Sequence, residues 1–195
     1  MMRMLRVTEY VEIPENISVK IEDGKVTMRG PKGTLSRDFS KIKGILISFD
    51  NGKIIVKSFR ARKKEYATVK TIAAILKNMI NGVLYGYRYK MKIVYAHFPM
   101  SIEVKDGYVY IKNFMGKRDT RIAKIVGDTK VFVKGDDIII EGIDLYAVGQ
   151  TAGNIYLATR LRGNDRLCPH GREGRGPGIL DGIYLYEKSL MKENE

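Results

Sequence analysis

The sequence PENISVKIEDGKVTMRGPKG, residues Pro14 to Gly33, recurs in altered form as PMSIEVKDGYVYIKNFMG, residues Pro99 to Gly116, and this repeat is the main evidence for the fold. In both copies a proline leads into alternating apolar residues, an Asp-Gly pair interrupts them, and a second alternating run ends at a glycine. Asp-Gly between alternating segments is the strongest short-range signal for a β-hairpin, since both central residues of that turn need positive φ. Each copy is therefore predicted to open with a β-hairpin.

The agreement between the copies continues downstream with a second hairpin and a helix. The second hairpin joins Ile45–Phe49 to Ile54–Lys57 in the first copy, and Lys130–Val133 to Ile138–Glu141 in the second. After each hairpin the apolar period changes from 2 to about 3.6 residues, which indicates a helix. The shared apolar faces comprise Tyr66, Val69, Ile72, Ala73, Leu76, Met79 and Ile80 in the first copy, and Val148, Thr151, Ala152, Ile155 and Tyr156 in the second.

Two details of the helices are also predicted. Gly82 stands where the C-cap of the first helix belongs, so we expect the helix to end there. The helices are aligned by matching Ala67, Thr71 and Ile75 with Ala147, Thr151 and Ile155.

A hairpin, hairpin, helix order that recurs along one chain indicates an internal duplication. The predicted fold class is α+β, with two tandem duplicated domains that each pack a mostly antiparallel β-sheet against an α-helix. We expect the first domain to span residues 1–87 and the second 88–195. An alternating strand over Leu84–Val94 ends the first domain and leads into the second.

That strand carries tyrosines at 85, 87 and 89 and cations at 88, 90 and 92. Tyrosines beside cations are compatible with an RNA-stacking face. They are also expected in a half-buried strand with solvated cations on its other side, and this is the interpretation that we favour.

The composition restricts the function. The chain has 35 basic and 22 acidic residues, a net charge of +13, which is typical of proteins with a polyanionic partner such as nucleic acid. Its single cysteine, Cys168, cannot form an internal disulfide, so we expect a reducing, cytoplasmic setting. Charged residues interrupt Met1–Glu12, which argues against a signal peptide, and no later stretch is apolar enough to cross a bilayer.

One segment, RLRGNDRLCPHGREGRGPG over 160–178, concentrates arginines among glycines. Glycines let a backbone approach a partner closely, and arginines fork onto phosphates. We predict that this segment binds RNA, together with cations in the loop after Gly116. The predicted RNA-binding residues are Arg160, Arg162, Arg166, Arg172 and Arg175, followed by Lys117, Arg118 and Arg121.

A smaller cationic run, Arg60, Arg62, Lys63 and Lys64, lies just before the first helix. Cations are disfavoured at the positive end of a helix dipole unless an anion offsets them. An anion-facing role and a solvated basic face are both open for this run.

Residues suited to catalysis are few. Cys168 and His170 flank a proline, but a zinc site needs four ligands and the chain offers only one further histidine, His97. A Cys-His nucleophile pair in this loop would have no scaffold to orient it. We therefore predict no enzymatic activity, no metal, no cofactor and no small-molecule substrate.

Two motifs carry a family resemblance. VGQTAGNI over Val148–Ile155 and DGIYLYEK over Asp181–Lys188 resemble the second-domain helix and the C-terminal segment of the universal large-subunit ribosomal protein L-six family, in its archaeal and eukaryotic form. The resemblance implies two duplicated α+β domains in the cytoplasmic ribosome, bound to large-subunit rRNA near the elongation-factor site and beside neighbouring ribosomal proteins. The chain departs from archaeal-type members in its longer Cys168–Gly178 segment and in having Ile179 where a phenylalanine is expected.

Three classes of function follow from these observations. The leading hypothesis is a structural, RNA-binding constituent of the large ribosomal subunit without enzymatic activity. The alternative is a basic nucleic-acid-binding module outside the ribosome, such as a chromatin or mRNA protein. An enzyme that uses Cys168 and His170 is the third, and it has the least support.

Overall fold

Both predicted Asp-Gly hairpins form in the computed structural model, which describes residues 4–96, 98–161 and 180–192. Asp23 and Gly24 have φ values of 46° and 80°, and Asp106 and Gly107 have 52° and 76°. These left-handed pairs are the geometry that the two-residue hairpin turn requires.

The chain folds into two structural units. One is formed by the residues up to Gly86 together with Ile143–Leu145 and the residues from Leu190 onward, and the other by Tyr87–Gly142 and Tyr146–Ser189. The ranges 1–87 and 88–195, which the sequence suggests for the two domains, stay predictions.

The first unit contains two antiparallel sheets and a helix. Its elements are β1 (Met4–Glu12), β2 (Ser18–Glu22), β3 (Lys25–Gly30), β4 (Gly33–Asp38), β5 (Leu46–Asp50), β6 (Lys53–Ala61) and α1 (Lys63–Leu84). One sheet has the order β2-β3-β4 and the other β1-β6-β5. Alternate strand residues point to the same side, so Val26, Met28, Ile54 and Val56 meet Leu76 of α1 in a core where all five are completely buried.

The second unit repeats this arrangement. Its elements are β7 (Tyr87–Val94), β8 (Ser101–Lys105), β9 (Tyr108–Lys112), a 3-10 turn (Phe114–Gly116), β10 (Arg121–Lys124), β11 (Lys130–Lys134), β12 (Asp137–Gly142), α2 (Leu145–Ala158) and β13 (Gly182–Leu190). The sheets have the orders β10-β9-β8 and β11-β12-β7-β13. The predicted α+β class with tandem repeats is therefore confirmed, although each unit holds two sheets where the sequence predicted one.

The predicted end of the first helix at Gly82 is wrong. Helix α1 continues to Leu84, Tyr85 is its C-cap, and the chain turns left-handed at Gly86 with φ of 78°. Glycine inside a helix costs about 1 kcal/mol relative to alanine. Complete burial of the next residue, Val83, outweighs that cost, since burying a valine side chain contributes about 1.5 kcal/mol or more. The strand predicted from Leu84 accordingly begins at Tyr87.

The predicted alignment of the two helices is wrong by one residue. Ala67 and Thr71 of α1 are exposed, whereas the residues matched with them in α2, Ala147 and Thr151, are buried. The buried positions that correspond are Val69, Ile72, Ala73 and Leu76 in α1 and Val148, Thr151, Ala152 and Ile155 in α2. The apolar pattern of the sequence allows both alignments, and only the burial of the helix faces against the sheets distinguishes them.

Strand β7 is half-buried, as we favoured, and it belongs to the second unit. Tyr87 and Tyr89 are 7% and 9% exposed, which excludes them as a stacking face. Its three cations form salt bridges with carboxylates of neighbouring strands: Arg88 with Glu141 at 2.7 Å, Lys90 with Glu187 at 3.0 Å and Lys92 with Asp137 at 3.3 Å.

Candidate nucleic-acid interface

Arg121 joins the loop after Gly116 to the end of α2, just before the arginine- and glycine-rich segment begins. Arg121 opens β10, and its Nη1 donates a hydrogen bond to the carbonyl oxygen of Ala158, the last residue of α2, at 2.9 Å. Arg160, which is exposed, follows Ala158 by two residues at the start of the arginine- and glycine-rich segment. The loop that carries Lys117 and Arg118 therefore leads directly to the base of that segment.

Arg121 has a structural role at this junction. Its guanidinium carbon lies 4.3 Å from the centroid of the Phe114 ring, and Phe114 is buried. A cation over an aromatic face is attractive, and the hydrogen bond also satisfies a carbonyl that the end of a helix leaves without an intrahelical partner. The side chain of Arg121 is only 21% exposed. RNA contact by Arg121 stays a prediction.

A strained turn presents the other two cations of the loop. Asn113, Met115 and Gly116 all have left-handed backbones, with φ values of 60°, 57° and 68°. Left-handed residues other than glycine cost about 1–3 kcal/mol each and persist only where the surroundings determine them. Here Asn113 Nδ2 donates to the Pro99 carbonyl at 3.0 Å, and a Cβ at Gly116 would lie 3.0 Å from the Phe98 ring.

The turn sets the path of the chain into the exposed residues Lys117 and Arg118. Strained backbone is frequent at functional sites, where it positions particular side chains. The sequence carried one signal for this turn, the glycine at 116, and none for the left-handed Met115.

Buried hydrogen bonds hold the described residues on both sides of the arginine- and glycine-rich segment. The Thr159 hydroxyl accepts a hydrogen bond from the backbone N–H of Ile183 at 3.1 Å, and an Asp181 carboxylate oxygen accepts one from the N–H of Ala96 at 3.0 Å. Thr159 and Asp181 are each 3% exposed. The chain on both sides of the segment is thus tied to the body of the second unit.

Most of the predicted RNA-binding arginines lie outside the described residues. Arg162, Arg166, Arg172 and Arg175 all do, as do His97, Cys168 and His170. Their predicted roles, and the absence of catalysis by Cys168 and His170, stay predictions.

Two tyrosines accompany the cations at the end of α2. The rings of Tyr156 and Tyr184 are 6.1 Å apart and tilted by 58°, and the two residues are 40% and 37% exposed. Burial raises the pKa of the Tyr184 hydroxyl, and Tyr156 and Asp181 raise it further. The phenol therefore stays neutral well above neutral pH and adds no negative charge to this surface. Tyr184 belongs to the DGIYLYEK motif of the sequence. Its contact with Tyr156 could not be predicted, because it joins α2 to β13.

The cationic run does not lie wholly before α1 as predicted, because Lys63 and Lys64 are the first two residues of the helix and Arg62 is its N-cap. A Glu65 carboxylate oxygen accepts a hydrogen bond from the backbone N–H of Arg62 at 2.9 Å. Hydrogen bonds from the backbone N–H groups of Glu65 and Arg62 lower the pKa of the Glu65 carboxyl below its ordinary value. Arg62, Lys63 and Lys64 are exposed, so a solvated basic face and an anion-facing role both remain open.

Among the described residues, no group of three or more His, Cys, Asp or Glu side chains is placed to hold a metal ion. Neither helix of the described ranges is both long and apolar enough to span a membrane.

Comparison with known proteins points to one family. The profile described as "Ribosomal protein L6" matches residues 13–86 and 98–166, one match in each repeat. "Large ribosomal subunit protein uL6" of Staphylothermus marinus is 49% identical over 190 residues, covering 96% of this chain and 97% of that protein. The proteins of the same name from Desulfurococcus amylolyticus and Aeropyrum pernix are 48% and 42% identical, over 96% and 98% of this chain and 98% and 100% of their own lengths.

Proposed function

Because the chain belongs to the ribosomal protein L6 family, we propose that it binds large-subunit rRNA and supports the region near the elongation-factor site. The role is structural and not enzymatic, as in the family, and the relatives along its whole length are named as large-subunit proteins. Its location is then the cytoplasmic ribosome, and its partners are rRNA and neighbouring ribosomal proteins.

The observation that supports rRNA binding is the hydrogen bond from Arg121 to Ala158, because it joins the loop that carries Lys117 and Arg118 to the chain two residues before Arg160. These four cations, at the start of the arginine- and glycine-rich segment, are called the basic edge below. RNA helices are recognised mainly through phosphates, 2′-hydroxyls and shape, and so by cations on a rigid support. Strand β10 and helix α2 supply that support. Arginine suits the role because its planar guanidinium donates two parallel hydrogen bonds to one phosphate.

The four arginines Arg160, Arg162, Arg172 and Arg175 test the proposal when they are replaced together by alanine. The matched control replaces Lys25, Arg29, Lys41 and Lys43 of the first unit, which are exposed and remove the same formal charge. We expect the arginine set to weaken rRNA binding more in filter-binding titrations. Exposed substitutions such as those of the control set usually change the free energy of unfolding by about 0.5 kcal/mol or less each, and urea unfolding of both variants shows whether the fold is kept.

Equal losses from the two sets, or a larger loss from the control set, would contradict the assignment of RNA binding to this segment. The non-ribosomal alternative is tested separately by sedimentation. A structural constituent should remain with salt-washed large subunits, whereas a free nucleic-acid-binding module should be released from them.

A further inference from the structure

Among the described residues, the sheet formed by β8, β9 and β10 has an outer face with exposed side chains, such as Ile122, which is 56% exposed. Its inner face is apolar, with Val109, Ile111 and Ala123 buried. Successive residues of a strand point to opposite faces. Tyr108 and Tyr110 therefore share the outer face, on the central strand. Tyr108 is 38% exposed, and the two rings are 6.4 Å apart and tilted by 53°.

Cations flank the exposed tyrosine on both sides. In the strand register Lys105 of β8 and Lys124 of β10 both pair with Tyr108, so the three side chains form one row across the face. Both lysines are exposed, and within the described part of the chain neither has a carboxylate at salt-bridge distance. The third lysine of the face, Lys112, forms a salt bridge with Glu103, with 2.8 Å between the lysine Nζ and the carboxylate Oε2.

The first unit shows that the tyrosines are not needed to build this kind of sheet. Its equivalent sheet also buries apolar residues on the central strand β3, Val26 and Met28, after the same Asp-Gly turn. On the outer face, however, it has Lys25 and Thr27 where the second unit has Tyr108 and Tyr110. The two copies thus share an inner face and differ outside, where a partner would bind.

We propose that this outer face binds an unpaired segment of rRNA, with a base stacked on Tyr108 and the adjoining phosphates beside Lys105 and Lys124. The proposal rests on the proposed function and adds a second RNA surface to the basic edge. Base stacking on aromatic side chains, combined with cations that follow the backbone, is how proteins hold single-stranded nucleic acid. On this outer face Lys105, Lys112 and Lys124 outnumber the carboxylate of Glu103, and the net positive charge favours a polyanion over an apolar segment of a neighbouring protein.

The double variant Tyr108→Lys/Tyr110→Thr tests this proposal, because it installs the outer residues that the first unit already uses. The variant adds a positive charge, so binding governed only by net charge would become tighter. Loss of a stacked base instead weakens binding by about fivefold or more. We expect the full-length variant to bind protein-free large-subunit rRNA at least about fivefold more weakly than the wild type, at one fixed salt concentration.

The control variant Tyr108→Phe/Tyr110→Phe keeps the rings and should bind like the wild type, and thermal unfolding should show that both variants are folded. Equal or tighter binding by the Lys/Thr variant would overturn the proposal while leaving the proposed function intact. Failure of the wild type itself to bind rRNA would instead overturn the proposed function. If the Lys/Thr variant binds protein-free rRNA normally but fails to assemble when other ribosomal proteins are present, the face binds a protein partner. That result would also overturn the proposal.

Discussion

At the scale of single residues, Arg121 shows how a cation can contribute to both structure and binding. It joins the start of β10 to the end of α2 through the Ala158 carbonyl and packs on Phe114. Arg118, three residues earlier, is exposed on the loop. From sequence both are members of one cationic cluster, but their surroundings differ.

We expect Arg121→Ala to destabilise the second unit and Arg118→Ala to leave it nearly unchanged. A hydrogen bond from a charged donor contributes about 1.5–3 kcal/mol, so Arg121→Ala should lower the free energy of unfolding by roughly that amount. Arg118→Ala should change it by about 0.5 kcal/mol or less. Urea denaturation of the full-length variants measures both. Equal effects on unfolding would show that the contact with Ala158 contributes little to stability.

At the scale of an element, the turn before the basic edge is determined by backbone conformation and by a neighbouring ring. Gly116 and Gly107 both have positive φ, 68° and 76°. A Cβ at 116 would lie 3.0 Å from the Phe98 ring, whereas a Cβ at 107 would have no atom within 4 Å. The two glycines therefore separate the conformational cost of a side chain from its steric cost.

Gly107→Ala should lower the free energy of unfolding only through the left-handed backbone, by about 1–2 kcal/mol. Gly116→Ala should cost more, because Phe98 must also move, and it should displace Lys117 and Arg118. We expect a lower Tm for Gly116→Ala than for Gly107→Ala, and weaker rRNA binding for Gly116→Ala alone. Identical melting and binding of the two variants would mean that the turn does not position the loop.

At the scale of the whole molecule, the net charge of +13 predicts strongly salt-dependent binding. Each phosphate that a cation neutralises releases counterions, which contributes a slope of about 0.9 in log affinity against log salt on B-form DNA and about 0.7 on single strands. Several engaged cations should give a slope of roughly 4 or more for rRNA. Filter binding over a series of salt concentrations measures it, and a slope near zero would contradict an electrostatic interface.

The duplication, the hairpins and the two helices could be predicted because they depend on short-range patterns. Asp23-Gly24 and Asp106-Gly107 adopt the turn geometry that their residue types prefer, and alternation set which strand residues face the core. Strands β1, β4, β10 and β13 were not predicted. Each lies at the edge of a sheet. Strands β1 and β13 pair with strands far away in the chain, and such pairing leaves little trace in a local pattern. Strands β4 and β10 directly follow the strands with which they pair, but they carry no Asp-Gly turn signal before them.

The repeat, the α+β class, the excess of positive charge and the composition of the arginine- and glycine-rich segment all follow from the amino-acid sequence alone. The alignment of the helices, the burial of Tyr87 and Tyr89 and the separate roles of Arg118 and Arg121 depend on the packed fold. It also placed Lys105 and Lys124 beside Tyr108. The physical reason is that periodicity specifies which residues of an element share a face, whereas the partner of that face is set by packing between elements far apart in the chain.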